Sequence, residues 1–184
     1  MELQQRLFRS LRIEVDERAL SGARRIVLGP TAFLDHAPGL VRGDDALFDR
    51  LVRELRWSEA RREMYDRTVD VPRLLASIPD DGPEDPVLTH VADLLSARYA
   101  RAVRRISLAL YRDGRDSVAM HGDRMGDQLD DNIIAIVSLR GPRRVFDLGH
   151  GDLLVMGGST QRDFEHGVPK VASAPPRMSV MFRS

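Results

Sequence analysis

The stretch RISLALYRDGRDSVAMHGD, residues 105–123, decides how this chain is read. Its apolar period is two: Ile106, Leu108 and Leu110 alternate with Ser107, Ala109 and Tyr111, which predicts a half-buried strand. Asp113-Gly114 then makes a turn, and Ser117, Ala119, His121 and Asp123 share one face of the strand that follows. Further strands are expected at 132–139, 153–156 and 177–183.

Upstream the period is helical. Leu47, Leu51 and Leu55 recur every fourth residue beside Phe48 and Val52, predicting an amphipathic helix between residues 44 and 57 that Asp44 or Asp45 would cap. Pro72, Pro79, Pro83 and Pro86, with Asp80, Asp81 and Gly82, predict an irregular surface loop over 70–86. Val87, Leu88, Val91, Leu94 and Leu95 then give a second helix one apolar face as far as about Arg101. Residues 1–184 thus read as a single domain, with 1–103 a helical portion and 104–184 strand-rich. Two helices followed by many short strands predict an α+β antiparallel barrel or jelly roll braced by N-terminal helices.

Bulk properties narrow the function. With 184 residues, 42% of them apolar, the chain can build one substantial core. Lys plus Arg and Asp plus Glu both number 28, so no global basic field draws the chain onto nucleic acid, and any such contact must be local. Cysteine is absent, which excludes disulfides and thiolate metal sites; a metal must be held by His, Asp or Glu. The N-terminus is too interrupted by charge for a signal peptide and no stretch approaches a membrane span, so a cytoplasmic protein without membrane contact is expected.

Residues i and i+2 of a strand project from one face roughly 7 Å apart, so His121 and Asp123 can grip one ion. His166, beyond at least two predicted strands, is placed to return as a third ligand. Two histidines and a carboxylate leave positions open for a bidentate co-substrate and dioxygen. The tripeptide repeats at His150-Gly151-Asp152, but there Gly149 and Gly151 suggest a turn feeding the apolar run LLVMGG. The plain alternative for His121 is a barrel histidine hydrogen-bonded to Asp123.

In RMSVMFR, residues 177–183, Met178, Val180 and Phe182 alternate with Arg177, Ser179, Met181 and Arg183. Arginine on an otherwise buried face is costly unless it meets an anion, and a guanidinium fits a carboxylate in bidentate fashion. A five-carbon diacid would satisfy both arginines, with a hydroxyl from Tyr111; structural salt bridges to Asp or Glu would satisfy them too.

Taken together, the segments LYRDGRDSVAMHGD, AIVSLRGPRRVFDL, HGDLLVMGGSTQRDFEHGVPK and RMSVMFR resemble the AlkB family of nucleic-acid demethylating oxygenases across residues 107–183, and MYDRTVDVPRLL at 64–75 resembles its nucleotide-recognition region. The resemblance implies a cupin-like double-stranded β-helix with His121, Asp123 and His166 as ligands of catalytic Fe(II). It implies further that Arg177 and Tyr111, beside Ser179, hold the distal carboxylate of 2-oxoglutarate and that Arg183 lies near the proximal one. In that family's chemistry O2 converts the oxoacid to succinate and carbon dioxide, and the oxidant formed hydroxylates an N-methyl group that leaves as formaldehyde. Three positions depart from the pattern. Ala109 stands where the family carries asparagine, Arg124 and Met125 intervene before Asp127, and the connection between Arg144 and His150 is short.

For the substrate, Trp57, Arg61, Arg62, Met64, Tyr65, Arg67 and Arg73 form a basic and aromatic stretch suited to a flipped or single-stranded base. The same residues could also be a helix end with Trp57 and Tyr65 in the core. The expectation is a monomeric demethylase of alkylated DNA or RNA. The alternatives are a 2-oxoglutarate-dependent hydroxylase of a protein or small molecule, and a non-catalytic binding module.

Overall fold

The computed structural model describes residues 12–64, 67–78, 85–122, 132–141 and 148–184, and among these the side chains of all but 60–71. Twelve strands and four helices follow in order among the described residues: β1 (Glu14–Val15), α1 (Glu17–Ser21), β2 (Arg24–Val27), β3 (Phe33–Ala37), β4 (Val41–Arg42), α2 (Asp44–Glu54), β5 (Ser58–Met64), β6 (Arg67–Ile78), α3 (Pro86–Tyr99), β7 (Arg105–Tyr111), β8 (Val118–His121), β9 (Ile134–Leu139), β10 (Leu153–Gly157), α4 (Thr160–Asp163), β11 (His166–Val168) and β12 (Arg177–Arg183). Eight strands form one antiparallel sheet in the order β2-β3-β10-β9-β12-β7-β6-β5, while β11 pairs with β8 and β1 with β4 in two-stranded sheets. This is the expected jelly roll with bracing helices. None of the described helices is long and apolar enough to cross a membrane.

The alternation read from sequence sorts the large sheet into two faces. Leu108, Leu110, Met178, Val180 and Phe182 join Leu47, Phe48 and Leu51 of α2 and Leu88, Val91 and Leu95 of α3 in the main core. Burying each such side chain contributes roughly 1.5–3 kcal/mol, and that layer fixes which residues of β7 and β12 face away from the helices. A smaller cluster of Leu34, Ile134, Leu148, Leu154 and Met156 lies apart from it.

Helix α3 starts as its sequence dictates, with Asp85 accepting hydrogen bonds from the Val87 and Leu88 amides and Pro86 in the first turn. Helix α2 differs from expectation in its cap. Gly43, in the left-handed region at φ 69°, stands at the N-cap, and the helix ends at Glu54. Asp44 is drawn elsewhere, accepting from the Arg140 amide at 2.9 Å and contacting His150 Nδ1 at 3.0 Å.

Two readings of the N-terminal portion are corrected. Strands β2, β3, β5 and β6 come from residues before 103 and build half of the large sheet, so this portion is not simply helical. The loop expected over 70–86 is in its first part strand β6, which runs through Pro72. A proline is tolerated there because pairing with β7 covers only Leu74 to Ile78, and the register with β5 shifts between Glu59 and Arg61. Pro72 therefore sits where the ladder is interrupted on both sides.

At the other end of the sheet Asp35 is 1% exposed. It receives a fork of two 2.7 Å bonds from Arg25 and a 2.8 Å bond from the Tyr99 hydroxyl. Burial pushes its carboxyl up, but these hydrogen bonds and the Arg25 and Arg98 charges outweigh it and hold the group below the usual aspartate value. Burial, followed by the bond to Asp35, pushes the Tyr99 hydroxyl well above its ordinary value.

Candidate active site

Strand pairing brings two of the three expected metal ligands together. His166 of β11 stands directly opposite His121 of β8, and their ring centroids are 4.4 Å apart. His121 Nδ1 lies 2.8 Å from the Ala119 carbonyl, an arrangement that places the proton on Nδ1, the tautomer in which Nε2 is the metal-ligating nitrogen. Asp123 lies outside the described residues. Gly122, between His121 and Asp123, is required by close approach: a Cβ there would come within 2.4 Å of the Gln161 carbonyl oxygen in α4.

The histidines open on a cavity of about 830 Å³ whose wall also contains Tyr111, Arg177, Ser179 and Arg183, the face of β7 and β12 turned away from the helices. Arg177 is 5% exposed, pairs in register with Tyr111, has its guanidinium 5.3 Å from that ring and donates to Ser179 Oγ at 2.8 Å. A buried guanidinium held by a hydroxyl and an aromatic face is a ready carboxylate anchor. Arg183 donates to Ser107 Oγ at 2.7 Å farther along the strand. Ala109 lies between them on the same wall, in register with Ser179 on one side and Leu75 on the other, so the departure from the family asparagine sits on the cavity itself.

The second tripeptide plays a different part. His150 is not on the cavity; with Asp44 and Asp45 it forms a cluster of metal-type ligands within 4.8 Å of one another. The Arg140 guanidinium already supplies positive charge there, bonded to Asp45 at 2.8 Å and Asp49 at 2.6 Å. Asp152 ties the turn together by accepting from the Gly39 and Gly149 amides, both at 2.8 Å. Gly151, at φ 69°, lies so near β4 that a Cβ would strike the Val41 carbonyl.

The expected substrate residues divide. Arg73 lines the cavity and donates to the Ser117 carbonyl at 3.2 Å, bracing the start of β8. Trp57 packs against the main core and donates to the Val52 carbonyl at 3.2 Å, so it is a packing residue and not part of the cavity wall. The backbones of Arg61, Met64 and Arg67 belong to the β5 and β6 hairpin, but their side chains, like Tyr65 entirely, lie outside the described residues. The sequence reading missed Arg56, Met120, Phe164 and Glu165, all on the wall. Proximity to His121 and His166 was the available signal for the last three.

No family model matches the chain. It is 28% identical to the bovine "Alpha-ketoglutarate-dependent dioxygenase alkB homolog 3", covering 89% of this chain and 70% of that one, and 28% identical to the human protein of the same name, covering 89% and 67%. Among solved structures, AviO1 from Streptomyces viridochromogenes Tue57 shares the fold, with a TM-score of 0.52 at 18% identity over 82% of this chain and 88% of that one. With that sequence similarity over nearly nine-tenths of its length, and with two histidines and two arginines of the motif order gathered on one cavity, this chain is similar to the alkB homolog 3 dioxygenases.

Proposed function

We propose that this chain is an Fe(II)- and 2-oxoglutarate-dependent dioxygenase that oxidatively demethylates N-alkylated bases in DNA or RNA. The observation that carries the reading is the direct opposition of His121 and His166 on a cavity whose wall holds Arg177 against Tyr111 and Ser179. The described residues fit the implied groups: two imidazoles for a divalent metal, with Asp123 the expected third ligand, and a buried guanidinium for a carboxylate. Iron bound there supplies the activation of dioxygen coupled to oxidative decarboxylation of 2-oxoglutarate.

The chain's own residues hold and orient. Arg177 fixes the distal carboxylate by charge-assisted bonds, Tyr111 and Ser179 keep that guanidinium in place, and Arg183 presents a second cation along the same strand. Leu34, Ile136, Leu154 and Met156 give the cavity an apolar stretch of wall that would limit water. Overall, one methyl group, O2 and 2-oxoglutarate give the unmethylated base, formaldehyde, succinate and carbon dioxide.

The test is formaldehyde and succinate release with iron(II), 2-oxoglutarate and ascorbate, comparing single-stranded oligonucleotides bearing 1-methyladenine or 3-methylcytosine with unmodified ones. Release of both products only with the methylated strands is the expected result; succinate indifferent to the methyl groups refutes the nucleic-acid substrate. A second reading, the same chemistry on a protein side chain or small molecule, draws on Trp57, whose packing against the core removes one of the expected stacking residues.

A further inference from the structure

Arg177 and Arg183 lean toward each other from opposite ends of β12. Arg177 donates forward to Ser179 Oγ, two residues along its own strand. Arg183 donates to Ser107 Oγ and reaches back to the Met181 sulfur at 3.8 Å. The strand register fixes how far apart these two holds are. Ser179 stands opposite Ala109 and Met181 opposite Ser107, so Ser179 and Ser107 are diagonal neighbours across β12 and β7. Diagonal neighbours lie about 7–8 Å apart, which sets the scale of the gap between the two cations. What stands in that gap is small. Ala109 shares the cavity face with Ser107 and Tyr111, and on β6 the residues opposite Ala109 and Ser107 are Leu75 and Ser77.

An extended carbon chain advances roughly 1.3 Å per bond, which separates the carboxyl carbons of a five-carbon diacid by about 5 Å and those of a six-carbon diacid by about 6 Å. The longer acid comes nearer the separation that the two arginines set. We propose that this chain takes a six-carbon 2-oxo diacid, 2-oxoadipate, as readily as 2-oxoglutarate, with Ala109 the residue that leaves room for the added methylene. The stoichiometry is unchanged: O2 oxidises one methyl group and one oxoacid, whose C1 carboxyl leaves as carbon dioxide, and glutarate is formed in place of succinate. The proposal rests on the co-substrate reading above and adds to it a residue that sets the length of the acid.

The experiment is isothermal titration calorimetry with manganese(II) in place of iron, so that no turnover intervenes. 2-Oxoglutarate and 2-oxoadipate are each titrated into the native chain, Ala109→Val and Ala109→Ser. A pocket closed around five carbons would reject a sixth by about tenfold or more, whereas the native chain should bind the two acids within about threefold of each other. Ala109→Val adds two methyl groups between the cations and should weaken 2-oxoadipate by about tenfold while changing 2-oxoglutarate by less than about threefold. Ala109→Ser adds a single oxygen and should shift the ratio in the same direction by less; it carries the comparison if the valine variant does not fold. A native preference for 2-oxoglutarate of about tenfold or more, or an equal effect of the substitutions on both acids, none included, overturns the proposal and leaves the co-substrate reading standing. Failure of the metal-loaded native chain to bind either acid removes the co-substrate reading and the proposal together.

Discussion

Replacing Arg177 by methionine tests the co-substrate anchor most directly. Arg177 is 5% exposed, so bonds from its guanidinium to a carboxylate are shielded from water, and methionine keeps much of the apolar stem. Hydrogen bonds to charged groups contribute about 1.5–3 kcal/mol, equivalent to weakening 2-oxoglutarate binding by roughly 10- to 150-fold. A ligand present at about 100 times its Kd stabilises the fold by about 2.7 kcal/mol; weakened about 30-fold, it contributes about 0.9 kcal/mol. In a domain of this size that difference lowers the ligand-induced rise in melting temperature from roughly 5–10 °C to about 2–4 °C. The assay is a thermal melt with and without 2-oxoglutarate in the presence of manganese(II). The rise on adding ligand, not the starting temperature, is the readout. An undiminished rise would show that the carboxylate is held elsewhere and refute the reasoning.

His121→Ala or His166→Ala should abolish metal-dependent succinate formation, whereas His150→Ala, at a turn away from the cavity, should retain it; the opposite pattern would exchange the roles of the two tripeptides. Gly122→Ala forces a Cβ within 2.4 Å of a backbone carbonyl, so we expect a loss of about 1–3 kcal/mol in chemical denaturation and weakened metal binding, and a wild-type midpoint would count against the close packing. Asp35 has its folded-state value held below its ordinary 3.8, so its contribution to stability is present above that value and lost as pH falls through the lower folded value. Asp35→Asn should therefore flatten the acid limb of stability in urea titrations from pH 5 downward, and an unchanged acid limb would contradict the assignment.

What the sequence could disclose depended on whether one short pattern decided a position. The alternation of β7 and β12 was legible because every second residue joins a continuous core under two amphipathic helices, leaving Tyr111, Arg177, Ser179 and Arg183 no other face to occupy. That His121 and His166 would be brought together was legible from the strand order, although their rung-for-rung pairing was not. Strand β6 was hidden because its proline falls at a break in the ladder that depends on two other strands. Trp57 was left open between stacking and packing because an aromatic beside arginines looks alike in either role; in the structure it packs against the main core, away from the cavity wall. Asp123 and Tyr65 lie outside the described residues.

The pairing of β8 with β11 bears on how the chain folds. Its recorded rungs are His121 with His166 and Val118 with Val168, with an irregularity between them, and a ribbon so short is marginal on its own in water. The large sheet has its own core beneath the helices and does not depend on that ribbon. A metal held by both imidazoles would tie β11 to β8 as a cross-link does, and its binding energy would count as folding energy for this corner alone. Amide hydrogens of Val118–His121 should then exchange with deuterium quickly in chelator and slowly with manganese(II), while those of β9 and β12 stay protected in both. The metal-binding edge would be the last part of the molecule to become structured and the first to open.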